Sequence, residues 1–352
     1  MKIMHILWEL QYGGAETMTI DIINRQCLEN EVTLLIGNRN IDRDLLSKIN
    51  PLIKIIKINR PHKSKNLFYI LKLNYLLLFS NTDIIHCQMD NIIKYYPLYF
   101  LKNNLCLTVH CVNLGYKGIH KYKHIFAISE EVKESVRKQT GIEATVVYNG
   151  IEINEFNREK NNTPKSNFII VQIGRLDHFH KGQHLTLRAI HRLITHYNYT
   201  DIHLDIIGEG DSEKLLRDLS NQLKINEYVT FCGKKTKDYI QNNLSKYDLL
   251  VQPSFWEGFG LTIIEAMSAM TPTLISNVDG MKTASFNGDY TYTFQSGSVE
   301  DYAEKIYQII HSPAVEREKL AQNAYKYTCD HFDISKTVDN YLKYYRDIIS
   351  KK

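Results

Sequence analysis

At 352 residues, 43% hydrophobic and 23% charged, with a formal net charge of +4, the chain has room for two cores. It lacks the bias of a disordered or nucleic-acid-coating polypeptide. Its six cysteines, Cys27, Cys87, Cys106, Cys111, Cys232 and Cys329, form no C-x-x-C pair, so free thiols and a reducing cytoplasm are expected.

Met1 to Trp8 runs directly into Glu9, as a first strand would rather than a leader. Residues 2–10 read as strand, and Gly13 and Gly14 form a turn opening a helix to about Cys27. Strands are expected at 31–37, 53–58, 83–87, 105–110, 124–128 and 144–148. Helices are expected at 67–79, 92–102 and after Ser129, an N-cap residue. The run 67–79 is interrupted by Lys72 and Asn74 and is too short to cross a bilayer. The polar stretch 157–167, containing Pro164, reads as a linker. Strands then follow at 168–174, 202–208, 229–232, 249–251 and 273–276. Helices fall at 183–195, 212–223, 236–245, 262–270, 298–311, 314–329 and 334–350. The alternation predicts an α/β chain of two Rossmann-like doubly wound parallel-sheet domains, 1–160 and 161–332. Residues 333–352 form a C-terminal helix expected to pack back on the first domain.

Open parallel sheets bind ligands beyond the carboxyl ends of their strands. Pro253 ends the strand 249–251, and Gly258 and Gly260 permit a tight turn. Helical spacing then begins near Thr262, with Ile263, Ala266, Met267 and Met270. A strand, a glycine loop and a helix start together suit a phosphate. Glu257 and Glu265 bracket that loop. Thr262-x-x-Glu265 is equally a capping box that needs no ligand. After the strand 168–174 come Arg175, a forked cation, and Lys181, a point charge, which suit a diphosphate or are simply solvated. Gly208-Glu209-Gly210 lacks the third glycine of a dinucleotide fingerprint. His178, His180 and His184 have metal-like spacing, but only Asp177 is at hand to complete a set, and no metal is expected. His110 closes the strand 105–110, where it either exchanges hydrogen bonds with a substrate hydroxyl or is satisfied in the domain wall.

Charge is uneven. From Lys48 to Lys138 there are 15 Lys/Arg against 5 Asp/Glu, which suits an anionic partner. Arg60, Lys63, Lys65 and Lys72 flank apolar Leu67, Phe68, Ile70, Leu71 and Leu76. This helix suits an anionic membrane surface, or it packs inward with its lysines solvated. No aromatic-plus-basic nucleic-acid motif accompanies the stretch.

In order and spacing, several segments resemble the family-4 retaining glycosyltransferases, which have the GT-B fold of two facing Rossmann-like domains. They are Gly13-Gly14-Ala15-Glu16, Thr108-Val109-His110, Ala127-Ile128-Ser129-Glu130, Tyr148-Asn149-Gly150-Ile151-Glu152, Gly174-Arg175-Leu176 with Lys181-Gly182, and the E-x7-E segment from Glu257 to Glu265 followed by Ala266-Met267. The resemblance implies that Arg175 and Lys181 hold the donor diphosphate and that Glu265 binds the nucleotide ribose. Glu257 would contact the donor sugar, the amides around Gly260, Leu261 and Thr262 would meet the phosphate, and Gly13 and Gly14 would close over the donor. His110 would lie near the reacting centre. It implies catalysis by Glu257, His110, Arg175 and Lys181 without metal or other cofactor. A sugar would pass from a UDP-sugar, or next a GDP-sugar, to a cell-surface polysaccharide or lipid-linked glycan. No side chain stands out as a nucleophile for double displacement, so same-face attack is expected. The protein would be cytoplasmic, with peripheral contact to the inner face of the membrane as a further expectation. A sugar-nucleotide epimerase and a silent partner subunit remain the alternatives. The sequence departs from the family pattern at Met270, where glycine is usual, at Thr273, and at 277–283, where only Gly280 is retained and Lys282 stands without the usual glutamate.

Overall fold

A computed structural model describes all residues except 63, 103, 113–114, 160–166 and 352, and at 90 and 91 the backbone alone. Among the described residues, thirteen strands pair, every one in parallel, into sheets of seven and six. The chain divides into two units, Met1–Ile151 with Ile334–Lys352, and Glu152–Asp333. The linker expected at 157–167 falls largely outside the described residues.

In the first unit the strands are β1 (Lys2–Leu7), β2 (Glu31–Asn38), β3 (Lys54–Arg60), β4 (Ile84–Cys87), β5 (Leu105–Val109), β6 (His124–Ala127) and β7 (Thr145–Val146). Their order is β3-β2-β1-β4-β5-β6-β7, so sequence direction reverses between β1 and β4. Helices cover both faces of such a sheet, which is why β1, β4 and β5 are near-continuous apolar runs instead of alternating ones. Ile3, Ile6, Leu7, Ile84, Ile85, Leu105 and Leu107 are all at most 1% exposed. Helix Gly14–Gln26 buries Ile20 and Ile23 against this sheet. Ser129 caps helix Glu130–Thr140 by accepting from Val132 N at 3.1 Å, as its residue type predicts.

Residues 92–102, expected to be one helix, form two 3-10 segments, Asp90–Tyr95 and Pro97–Leu101. Pro97 is the reason: it brings no N–H and pushes Tyr96 out of helical geometry, to φ −123° and ψ 74°.

Helix Ile334–Ser350 belongs to the first unit despite its distance in sequence. Ile334 N donates to Ile151 O at 3.0 Å, and Thr337 Oγ1 to Tyr148 O at 2.9 Å. Its buried Tyr341 pairs with Thr108 Oγ1 at 3.0 Å, and Tyr345 with His86 Nδ1. Both rings pack around Phe126.

The second unit holds β8 (Phe168–Ile173), β9 (Ile202–Ile207), β10 (Val229–Gly233), β11 (Leu249–Gln252), β12 (Thr273–Ser276) and β13 (Tyr292–Phe294), ordered β10-β9-β8-β11-β12-β13. β13 escaped prediction because three residues give no readable period. It is held by its pairing with β12 and by Phe294 stacking on Tyr302 at 4.1 Å. Ile170, Ile190, Leu193, Leu204, Leu216 and Ile306 are fully buried in the core around this sheet.

Candidate active site

β8 and β11 are neighbours, with Leu249 opposite Ile170 and Leu250 opposite Val171. The loops leaving both strands therefore emerge side by side at the point where strand order reverses, the binding position of a doubly wound sheet. After β8, Asp177 caps the short helix His178–Lys181. Gly182 follows at φ 67°, and a Cβ there would stand 2.2 Å from Pro253 O. Only glycine lets this segment lie against the exit of β11. Gln172 and Gln183 fix it further: Gln172 Nε2 donates to Lys181 O at 3.0 Å and Gln183 Nε2 to Arg175 O at 2.8 Å.

The result is a contact between residues 76 positions apart: Lys181 Nζ lies 2.5 Å from Glu257 Oε1, with the side chains only 20% and 10% exposed. The same oxygen accepts from Ser254 Oγ at 2.8 Å and Gln252 Nε2 at 2.9 Å. Burial pushes the Glu257 carboxyl up. The Lys181 ammonium and the hydrogen bonds from Lys181 and Ser254 outweigh it and hold the group below the usual carboxylate range. Gly280 packs on the backbone of Glu257, where a Cβ would fall 1.6 Å from Glu257 O. Arg175 does not join this cluster. Its guanidinium is 68% exposed and 3.3 Å from Asp177 Oδ2.

After β11, helix Leu261–Ser268 starts one residue earlier than expected. Its N-cap is Gly260, at φ 85°, with no side-chain cap. The capping box expected from Thr262 and Glu265 is thus absent: Thr262 is already inside the first turn, and Glu265 sits a turn beyond it. Glycine's left-handed geometry turns the chain before threonine is reached.

The three histidines do not converge on one point. His178 Nδ1 pairs with Ser212 Oγ at 2.8 Å and its ring meets that of His184 edge-on at 5.5 Å, while His180 stacks on Trp256 at 4.8 Å and bonds Trp256 O at 2.8 Å. Among the described residues, no group of three or more His, Cys, Asp or Glu is arranged to hold a metal ion.

The remaining candidates lie in the first unit. Gly13 is the N-cap of helix Gly14–Gln26 after β1, and a Cβ there would meet Glu16 Oε2 at 2.4 Å. His110 follows β5, its Nε2 3.0 Å from Gln88 Oε1. Burial lowers its pKa to about 4, so the ring is neutral at pH 7.

Two family models match consecutive stretches: "Glycosyltransferase Family 4" over residues 12–155 and "Glycosyl transferases group 1" over residues 153–327. The chain belongs to the family-4, group 1 glycosyltransferases. An uncharacterized glycosyltransferase of Methanocaldococcus jannaschii is 26% identical to this glycosyltransferase over 306 residues, 77% of this chain and 73% of its own. The O-antigen chain mannosyltransferase RfbU of Salmonella typhimurium is 25% identical over 239 residues, 62% of this chain and 63% of its own. Anabaena HepE, solved in complex with UDP and glucose, superposes with a TM-score of 0.83 at 18% identity, over 99% of this chain and 100% of its own. The architecture is GT-B.

Within the second unit the structure brings together Lys181 and Glu257, and sets Arg175, Gly260, Leu261, Thr262 and Glu265 on the two adjoining loops and the helix that follows. Sequence reasoning missed Gln252, Ser254 and Gly182 as supports. Gln252 carried the one available signal, a buried amide ending an otherwise apolar strand.

Proposed function

We propose that this glycosyltransferase is a retaining, metal-independent hexosyltransferase. It takes a UDP-sugar first, a GDP-sugar next, and uses a hydroxyl of a cell-surface polysaccharide or lipid-linked glycan as acceptor. The Lys181–Glu257 pair at the β8/β11 reversal carries the reading. A buried carboxylate fixed by three donors keeps its remaining acceptor capacity for sugar hydroxyls. The ammonium beside it and the exposed Arg175 guanidinium neutralise a diphosphate. The amides of the Gly260–Thr262 helix start add donors, and Glu265 takes the ribose. Gly13 and Gly14 let the backbone of the first unit close over the donor, and neutral His110 exchanges a hydrogen bond with a hydroxyl near the reacting carbon. Because no side chain stands out in the sequence as a nucleophile for double displacement, the acceptor attacks from the face the phosphate leaves, and the departing phosphate takes the proton. UDP is preferred because HepE is solved with it; the glycan acceptor follows the name of RfbU.

Thermal unfolding against UDP, GDP, ADP, CMP and their sugars, with and without chelator, tests the donor. A shift with UDP that survives chelator and disappears in Lys181→Ala is expected. Donor consumption without acceptor points instead to the epimerase, and no shift with any nucleotide to a silent subunit.

We also propose that the first unit contacts anionic membrane from the cytoplasmic side. Helix Leu67–Leu78 buries Leu73, Asn74 and Leu77, yet Leu67, Phe68, Leu71, Tyr75 and the following Phe79 are 60–70% exposed along one stripe. Lys57 and Lys65 are exposed beside this apolar stripe and Lys72 is half-buried. Arg60 is not part of this face: it is 7% exposed, over the rings of Trp8 and Tyr95. Lys63 lies outside the described residues. Flotation with vesicles containing anionic lipid, but not with neutral ones, is expected, and its loss in Leu71→Glu would locate the contact.

A further inference from the structure

His110 stands at the open end of a buried hydrogen-bond chain. Its Nε2 meets Gln88 Oε1 at 3.0 Å, Gln88 Nε2 meets His5 Nδ1 at 3.3 Å, and His5 Nε2 meets Gln26 Oε1 at 2.8 Å. His5 and Gln26 are 0% exposed and Gln88 is 3% exposed. None of the three is solvated, so the two ring nitrogens of His5 and the amide of Gln88 depend on their neighbours, while at the inner end Gln26 Nε2 is buried with no hydrogen-bond partner among the described residues. β1 supplies His5, the residue after β4 supplies Gln88, and the end of helix Gly14–Gln26 supplies Gln26.

A carboxamide has one donor end and one acceptor end, and a neutral imidazole has the same. Such a chain runs in one direction throughout or reverses throughout. Here Gln26 Oε1 accepts, so His5 carries its proton on Nε2 and offers Nδ1 to the Gln88 amide. That turns Gln88 Oε1 toward His110, which must carry its own proton on Nε2.

We propose that Gln88 and His5 are positioning residues that fix His110 in a single tautomer, with Nε2 protonated and Nδ1 kept as the acceptor. This rests on the proposed role of His110 near the reacting centre. The chain achieves with amides what a carboxylate partner achieves elsewhere: it sets ring orientation and the protonated nitrogen. It does so without adding charge, which keeps the imidazole neutral.

The test is a two-bond 1H–15N correlation spectrum of the full chain labelled with 15N-histidine. Wild type is expected to show both His110 and His5 as pure Nε2–H tautomers. An Nδ1–H signal for His110 overturns the proposal with no variant needed. In Gln88→Leu, His110 should become a mixture of tautomers while His5, still held by Gln26, does not. Transfer kcat should fall about tenfold or more, with the donor KM within about twofold. Gln88→Glu keeps an acceptor toward His110 and removes the donor toward His5. His110 should therefore stay Nε2–H, kcat should recover in part, and His5 should turn over to Nδ1–H. Unchanged tautomers and rate in Gln88→Leu would sink the idea. Full transfer in His110→Ala would instead remove the role of His110 in the reaction, leaving the tautomer result standing by itself.

Discussion

Breaking the Lys181–Glu257 pair should cost stability in a manner that depends on pH. Lys181→Met removes the ammonium but leaves a carboxylate that is 9% exposed, with Ser254 and Gln252 as its remaining donors. Removing one partner of a buried pair costs about 3–5 kcal/mol. The two surviving donors and the 20% exposure of Lys181 place this site near the lower end. Glu257→Gln, which keeps a neutral acceptor beside the ammonium, should cost about 2 kcal/mol. The double variant has no charge left to strand, so the two losses should fall short of additivity by about 2 kcal/mol.

The sign with pH follows from the shift. Glu257 is held below its ordinary value, so its contribution is present above the unfolded carboxyl's pKa and lost as pH falls through the folded one. In Lys181→Met, burial acts without the ammonium and raises the same carboxyl, so that variant gains relative stability on acidification. The gap from wild type should be widest at pH 7 and narrower at pH 5. The chain has two tryptophans, Trp8 in the first unit and Trp256 in the second. In a Trp8→Phe background, urea unfolding followed by Trp256 fluorescence reports the second unit alone. Additivity within about 0.5 kcal/mol, together with a gap that does not change with pH, would refute the reasoning.

Met270 sits at φ 54°, just past helix Leu261–Ser268, in the left-handed region that glycine adopts freely. Met270→Gly should stabilise the second unit by about 1 kcal/mol, seen as a rise in its unfolding midpoint. Gly280→Ala should do the opposite by at least about 2 kcal/mol, since its Cβ would strike Glu257 O, and donor affinity measured by calorimetry should fall with it. Arg175→Ala, at an exposed guanidinium, should leave unfolding within about 0.5 kcal/mol of wild type while donor kcat/KM drops by about 100-fold or more.

Long apolar strands were the most legible part of the chain. β1, β4, β5 and β8 are hydrophobic on both faces because helices cover both sides of a parallel sheet. Helix Ile334–Ser350 was legible for the complementary reason, an amphipathic period uninterrupted by glycine or proline. Short pieces governed by one residue were not: Pro97 divides a helix that periodicity joins, and Gly260 starts a helix before its apparent cap. At the candidate site, the glycine loop and its charged residues could be named from spacing. Their pairing could not. Lys181 and Glu257 meet because β8 and β11 are neighbours and Gly182 allows close approach; the strand pairing is not written near either residue, and Gly182, although next to Lys181, does not say which backbone it admits. Gly280 could be noted as retained, but its reason is a backbone contact with Glu257, a residue distant in sequence. Met270 marks the converse case, a local cost tolerated because the surrounding turn is already fixed by Thr271 N bonding Ala266 O at 2.8 Å.

The return of helix Ile334–Ser350 to the first unit has a consequence for how the protein is made. During synthesis the strands β1 to β7 emerge first, yet the surface holding His86, Thr108 and Phe126 stays uncovered while the whole second unit is translated. Tyr345 reaches His86 across 259 positions of sequence. At about 5–20 residues per second, that is an interval on the order of ten to fifty seconds. Through it, half-finished first units expose an aromatic and histidine-lined face that a neighbouring nascent chain or a chaperone can occupy.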